Sequence, residues 1–82
     1  MDIKDRSLNL HGRIKTVNSK GYGFITTDDG FEFFFHYTTF SGMTWRKLFA
    51  EFFNNPDKVM NVTFDVDRTS EDGLRATNVR LC

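Results

Sequence analysis

A chain of 82 residues holds one domain, and a domain of that size hides only about 60% of the surface that its unfolded chain exposes. Eleven basic and eleven acidic residues cancel, which excludes the global pull on polyanions that a strongly basic chain exerts and leaves any nucleic-acid binding to local charge. One cysteine, Cys82, and two histidines exclude an internal disulfide and give no zinc-ligand spacing.

The start, MDIKDRSLNL, lacks the apolar run of a signal peptide, and no stretch approaches the length of a membrane span, so a soluble cytoplasmic protein is expected, with residues 1–7 loosely packed. Residues 1–82 read as one folding unit without repeat or linker, because the single proline, Pro56, sits in a short NNPD turn. Leu8 to Val17 is β-favouring and partly alternating, and Tyr22 to Thr27 and Phe31 to Tyr37 flank the turn signal DDG. In TWRKLFAEFFNN, Trp45, Leu48, Phe49, Phe52 and Phe53 fall at i, i+3, i+4, i+7 and i+8. That apolar stripe predicts a helix over about 44–54, with Thr44 as its N-cap and Asn54-Asn55-Pro56 as its stop. Val59 to Asp67 alternates, with Met60, Val62, Phe64 and Val66 on the inner side, and Leu74 to Leu81 makes a fifth strand after TSEDG. Three strands, a helix and two strands is the order of an all-β OB-fold: a five-stranded antiparallel barrel with one inserted helix that caps an end.

Ten phenylalanines exceed what so small an interior needs, so the question is which rings face out. Antiparallel partners share a face, and the loop of the second hairpin decides the pairing. A two-residue loop at Asp29-Gly30 pairs Phe24 with Phe35. A three-residue loop, Asp28-Asp29-Gly30, with Gly30 left-handed, pairs Phe24 with Phe34 and Tyr22 with His36. Volume favours the second, because Gly21, Gly23 and Ile25 then make room inside for Phe33 and Phe35. Outside stand Tyr22, Phe24, Phe34 and His36, with Tyr37 at the rim and Lys15 and Val17 from the neighbouring strand. The competing reading folds the 44–54 helix over these rings as ordinary core.

Such a panel suits unstacked bases. Each stacked base contributes about 1–3 kcal/mol, and lysines and arginines follow the phosphates, with Lys15, Lys20 and Arg13 the nearest. Three or four bases and a few phosphates sum to about 6–9 kcal/mol, or micromolar binding. Three phosphate contacts give a slope of log K against log salt of about −2. No acidic pair or metal constellation lies on that face, so neither catalysis nor a cofactor is expected. The alternative is an OB-like protein-interaction module, or a homodimer, built on the Trp/Phe-rich helix.

K20-G-Y-G-F-I25 followed by F33-F-F-H-Y37 resembles the two nucleic-acid-binding motifs of the cold-shock domain, the forms KG[FY]GFI and VFVHF. Gly12, Ile14, Lys15 and Asn18 are similar to its first-strand pattern GxVKWFN, and Ala76-Thr77-Asn78-Val79 to its closing AANV. The motif order excludes an RNA-recognition motif, in which the second form comes first. The resemblance implies a five-stranded barrel that binds single-stranded RNA or DNA as an RNA chaperone or regulator of transcription or translation. By position it implies contacts at Tyr22, Phe24, Phe34, His36, Tyr37 and Lys15. Three departures stand out: Thr16-Val17 replaces the family's Trp-Phe pair, the turn before Lys20 is one residue shorter, and the helical insert is additional. Trp45 or Arg46 of that insert are candidates to replace the missing contacts.

Overall fold

The computed structural model describes residues 8–55, 57–67 and 74–82. The loosely packed start expected at 1–7, Pro56 and the TSEDG turn lie outside the described residues. Among the described residues six strands form: β1 (Leu10–Val17), β2 (Tyr22–Thr26), β3 (Glu32–His36), β4 (Phe40–Ser41), β5 (Asn61–Val66) and β6 (Ala76–Leu81), with the helix α1 (Trp45–Asn54) between β4 and β5. They make one sheet in the order β3-β2-β1-β5-β6-β4. The sheet curls until its β3 side meets the segment leading into β6: the Phe34 N–H donates to the Leu74 carbonyl at 2.8 Å, in a parallel bridge of Phe34 with Arg75. The result is a nearly closed barrel of the OB type.

The expected five strands become six because a short segment after β3 lies along β6. A 3-10 turn at Tyr37–Thr39 swings the chain round, and Phe40 lodges 6.2 Å from the Phe35 ring and 6.2 Å from Trp45. Phe40 and Ser41 then pair in parallel with Val79 and Arg80. Two residues are too few to show a strand period in sequence.

The interior follows from alternation. Val62 and Phe64 of β5, Ile25 of β2 and Phe35 of β3 are fully enclosed, and Ile14, Val17, Phe33, Met60, Ala76 and Val79 complete the core with Leu48 of α1. The helix closes one end. Its N-cap Thr44 accepts from the Lys47 N–H. Trp45 packs its ring edge-on to Phe35 at 5.6 Å and donates its indole N–H to the Asn18 carbonyl at 2.9 Å, fixing α1 to the chain just beyond β1.

The β2–β3 hairpin takes the three-residue loop. Tyr22 pairs with His36, Gly23 with Phe35, Phe24 with Phe34 and Ile25 with Phe33. The Gly30 N–H donates to the Thr27 carbonyl, and Gly30 has φ 93°. A side chain there would strain the backbone although nothing lies within 4 Å of it. At Gly23 the constraint is space instead. A Cβ would stand 2.6 Å from the Thr16 carbonyl oxygen and 2.9 Å from Phe35 Cε1, so the missing side chain is what admits the Phe35 ring.

One expectation for β1 is overturned. Ile14 pairs with Ile25 but Thr16 with Phe24, so Lys15 is an extra residue in the strand. This bulge breaks the alternation: Lys15 and Thr16 both face out, and Val17, expected beside the outer rings, turns inward with 2% of its surface exposed. Val17 is core and cannot touch a ligand on the outer face. Thr16, opposite Phe24, takes that place.

Candidate nucleic-acid interface

The outer face of β2 and β3 carries four half-buried rings in two cross-strand pairs, Tyr22 with His36 and Phe24 with Phe34. Phe34 is the hub, with centroids 5.4 Å from Tyr22 and 5.8 Å from Phe24, the latter edge-on. α1 packs Leu48, Trp45, Phe49 and Phe52 against the core, and the four rings stay partly exposed. Tyr37 forms the rim, 4.6 Å from the His36 ring and 50% exposed. Its N–H donates to the Gly21 carbonyl at 2.8 Å, and its Cδ1 lies 2.8 Å from where a Cβ of Gly21 would stand. The Tyr37 ring therefore rests directly on bare backbone. His36 Nδ1 sits 2.9 Å from Thr38 Oγ1, which orients the imidazole and leaves Nε2 as the nitrogen for a ligand.

Four cations surround the rings in different states. Lys20 is exposed on the β1–β2 turn, where Asn18 Oδ1 accepts from the Lys20 and Tyr22 backbone N–H groups and fixes the turn. Lys15 pairs with Glu32 at 2.6 Å and Arg13 with Asp28 at 2.6 Å. The fourth, Arg75, was not among the residues singled out from sequence. Its guanidinium carbon lies 5.6 Å from the Phe34 ring centroid, a cation–π geometry, and its side chain is exposed. Arg75 is remote along the chain from the motifs of β2 and β3 and reaches the panel only because the barrel closes between Phe34 and Arg75. The signal that could have found it was topological: in an OB-like order, the segment entering the last strand returns to strand three.

The two helix candidates fall elsewhere. Trp45 is half-buried and its indole N–H is committed to Asn18, although its ring lies 6.4 Å from Tyr37. Arg46 is exposed on α1. The β5–β6 wall holds a separate polar cluster. Asp65 accepts from the Asn9 N–H at 2.8 Å and from Asn78 Nδ2 at 3.0 Å, and Arg80 Nη2 lies 4.0 Å away. These bonds, first that from the Asn9 backbone, hold the Asp65 carboxyl below its usual range. Arg80 also donates to Thr63 Oγ1, the Asn78 carbonyl and Asn9 Oδ1, tying the entry of β1 to this wall. Among the described residues no three His, Cys, Asp or Glu side chains gather to hold a metal, and no helix is long and apolar enough to cross a membrane.

An OB-type barrel that carries paired rings on β2 and β3, with cations along their border, is a nucleic-acid-binding architecture. The family model described as the 'Cold-shock' DNA-binding domain matches residues 10–82, from the first residue of β1 to the last of the chain. That span takes in both strand motifs, the inserted helix and the closing strand, and the chain belongs to the cold-shock DNA-binding domain family.

Proposed function

We propose that this domain binds single-stranded RNA or DNA by stacking bases on Tyr22, Phe24, Phe34, His36 and Tyr37, and serves in the cytoplasm as an RNA chaperone or regulator of transcription or translation, without catalysis or a cofactor. The observation that carries this reading is the register of β2 on β3, which sets the rings on the outer face while Gly23 behind them leaves space for Phe35. Every base has a π-face, so such a panel accepts sequence broadly, at about 1–3 kcal/mol per stacked base. Lys20 and Arg75 supply phosphate contacts without an acidic partner among the described residues, and Lys15 and Arg13 must first leave theirs. The affinity is therefore micromolar, on the order of 6–9 kcal/mol. Titration with oligo-dT and oligo-U of about seven nucleotides tests it. Saturable micromolar binding is expected, and no binding at about 100 μM, some 5 kcal/mol, removes the reading.

The second reading, a protein-interaction module or homodimer, draws support from Phe53. It is 56% exposed on α1, with its ring 4.6 Å from Phe49 and 5.4 Å from Phe52. A molar mass in solution equal to one chain across a wide concentration range removes the homodimer.

A further inference from the structure

Two of the strand cations closest to the rings are already matched by carboxylates. Arg13 pairs across the strands with Thr26, and Thr26 with Glu32, so one transverse row runs Arg13–Thr26–Glu32 along the border of the panel. Glu32 precedes Phe34 by two residues in β3 and shares its outward face. Glu32 holds Lys15, and Asp28, at the start of the hairpin loop, holds Arg13, each at 2.6 Å. All four side chains are exposed, so the pairs open easily, but while closed they leave the row without net positive charge. A phosphate that reaches Lys15 also meets the Glu32 carboxylate, well inside the screening length of about 10 Å at 0.1 M salt. Its attraction to the ammonium is largely cancelled.

The cancellation does not fall equally on all polyanions. A duplex offers this face phosphates, with its bases stacked away, whereas an unstacked strand also offers rings to Tyr22, Phe24 and Phe34. We infer that Glu32 and Asp28 are selectivity residues: by occupying Lys15 and Arg13 they silence sequence-independent phosphate attraction, so the panel takes strands whose bases are free and rejects duplexes and base-free polyanions. The inference rests on the stacking reading proposed above and adds to it what the face refuses.

The test compares the native chain with Glu32→Gln, Asp28→Asn and the double variant. Each is titrated with an oligo-dT of about seven nucleotides, a duplex of the same length and heparin, at several salt concentrations. The double variant should bind the single strand about two- to fivefold more tightly. It should gain more than that on duplex and heparin, and its salt slope should steepen for each freed cation by about 0.7 on the single strand and about 0.9 on the duplex. Unchanged slopes and unchanged duplex binding in all three variants would overturn the inference. So would weaker single-strand binding with an intact melting curve, because the carboxylates would then be accepting bonds from bases. Failure of the native chain to bind the single strand would remove the stacking reading and this inference with it, an outcome told apart from the others because there the native chain binds and only the variants disappoint.

Discussion

Phe34 and Phe35 are neighbours in β3 that face opposite ways, and truncating each to alanine should have opposite consequences. Phe35 is fully buried, 5.6 Å from Trp45 and 6.2 Å from Phe40, and packs against the bare Gly23 backbone. A Phe→Ala change at such a site costs about 3–5 kcal/mol. In a domain of this size each kcal/mol lowers the melting temperature by about 4–8 °C, so a fall of at least about 12 °C is expected. Phe34 is half-buried and touches Tyr22, Phe24 and the Arg75 guanidinium. Alanine keeps the backbone N–H that closes the barrel onto Leu74. Its stability cost should stay near 1 kcal/mol, while oligonucleotide affinity falls by about 1–3 kcal/mol, or roughly 5- to 150-fold. Thermal melting followed by the fluorescence of the single tryptophan, Trp45, and titration with oligo-dT separate the two readouts. An unfolded Phe34→Ala, or a Phe35→Ala whose melting curve matches the native one, would refute the assignment of inner and outer faces.

Arg75→Ala should weaken single-strand binding by about 0.5–1 kcal/mol and flatten the salt slope by about 0.7; equal affinity and slope would show that the guanidinium serves only Phe34. Gly23→Ala should lower stability by about 1–3 kcal/mol, because its Cβ meets the rigid Thr16 carbonyl at 2.6 Å, and a native melting temperature would contradict this. Asp65 contributes stability with its carboxylate ionised, and its folded pKa is depressed. That contribution is complete above the unfolded value of about 3.9 and is lost as pH falls through the lower folded value. Asp65→Asn should therefore melt below the native chain at neutral pH, with the gap closing in strong acid; a gap independent of pH would exclude the linkage.

The hairpin was readable because its constraints are local. Gly23, between Tyr22 and Phe24, stands opposite Phe35 and Ile25 opposite Phe33, and only one loop length lets that small residue face a large one; Gly21, expected to make room inside, lies under Tyr37 instead. The helix was readable for the same reason, through Thr44 and the spacing of Trp45, Leu48, Phe49 and Phe52. What stayed hidden depends on an inserted residue or on contacts between distant segments. The bulge at Lys15 turns Val17 inward without any glycine or proline to announce it. Arg75 meets Phe34 only through closure of the barrel, and β4 exists only because Phe40 finds Phe35 and Trp45. The ion pairs of Lys15 and Arg13 depend on how β1 sits beside the β2–β3 loop. Those pairs change the expected site most, since they convert two expected phosphate contacts into neutral pairs.

Amide chemical-shift mapping of the native chain during titration with oligo-dT probes where a strand lies. Shifts concentrated at Tyr22, Phe24, Phe34, His36, Tyr37 and Arg75, with the β5–β6 wall around Asp65 and the α1 residues 46–54 silent, are the expected result. Saturable shifts centred on α1, with β2 and β3 unmoved, would contradict it.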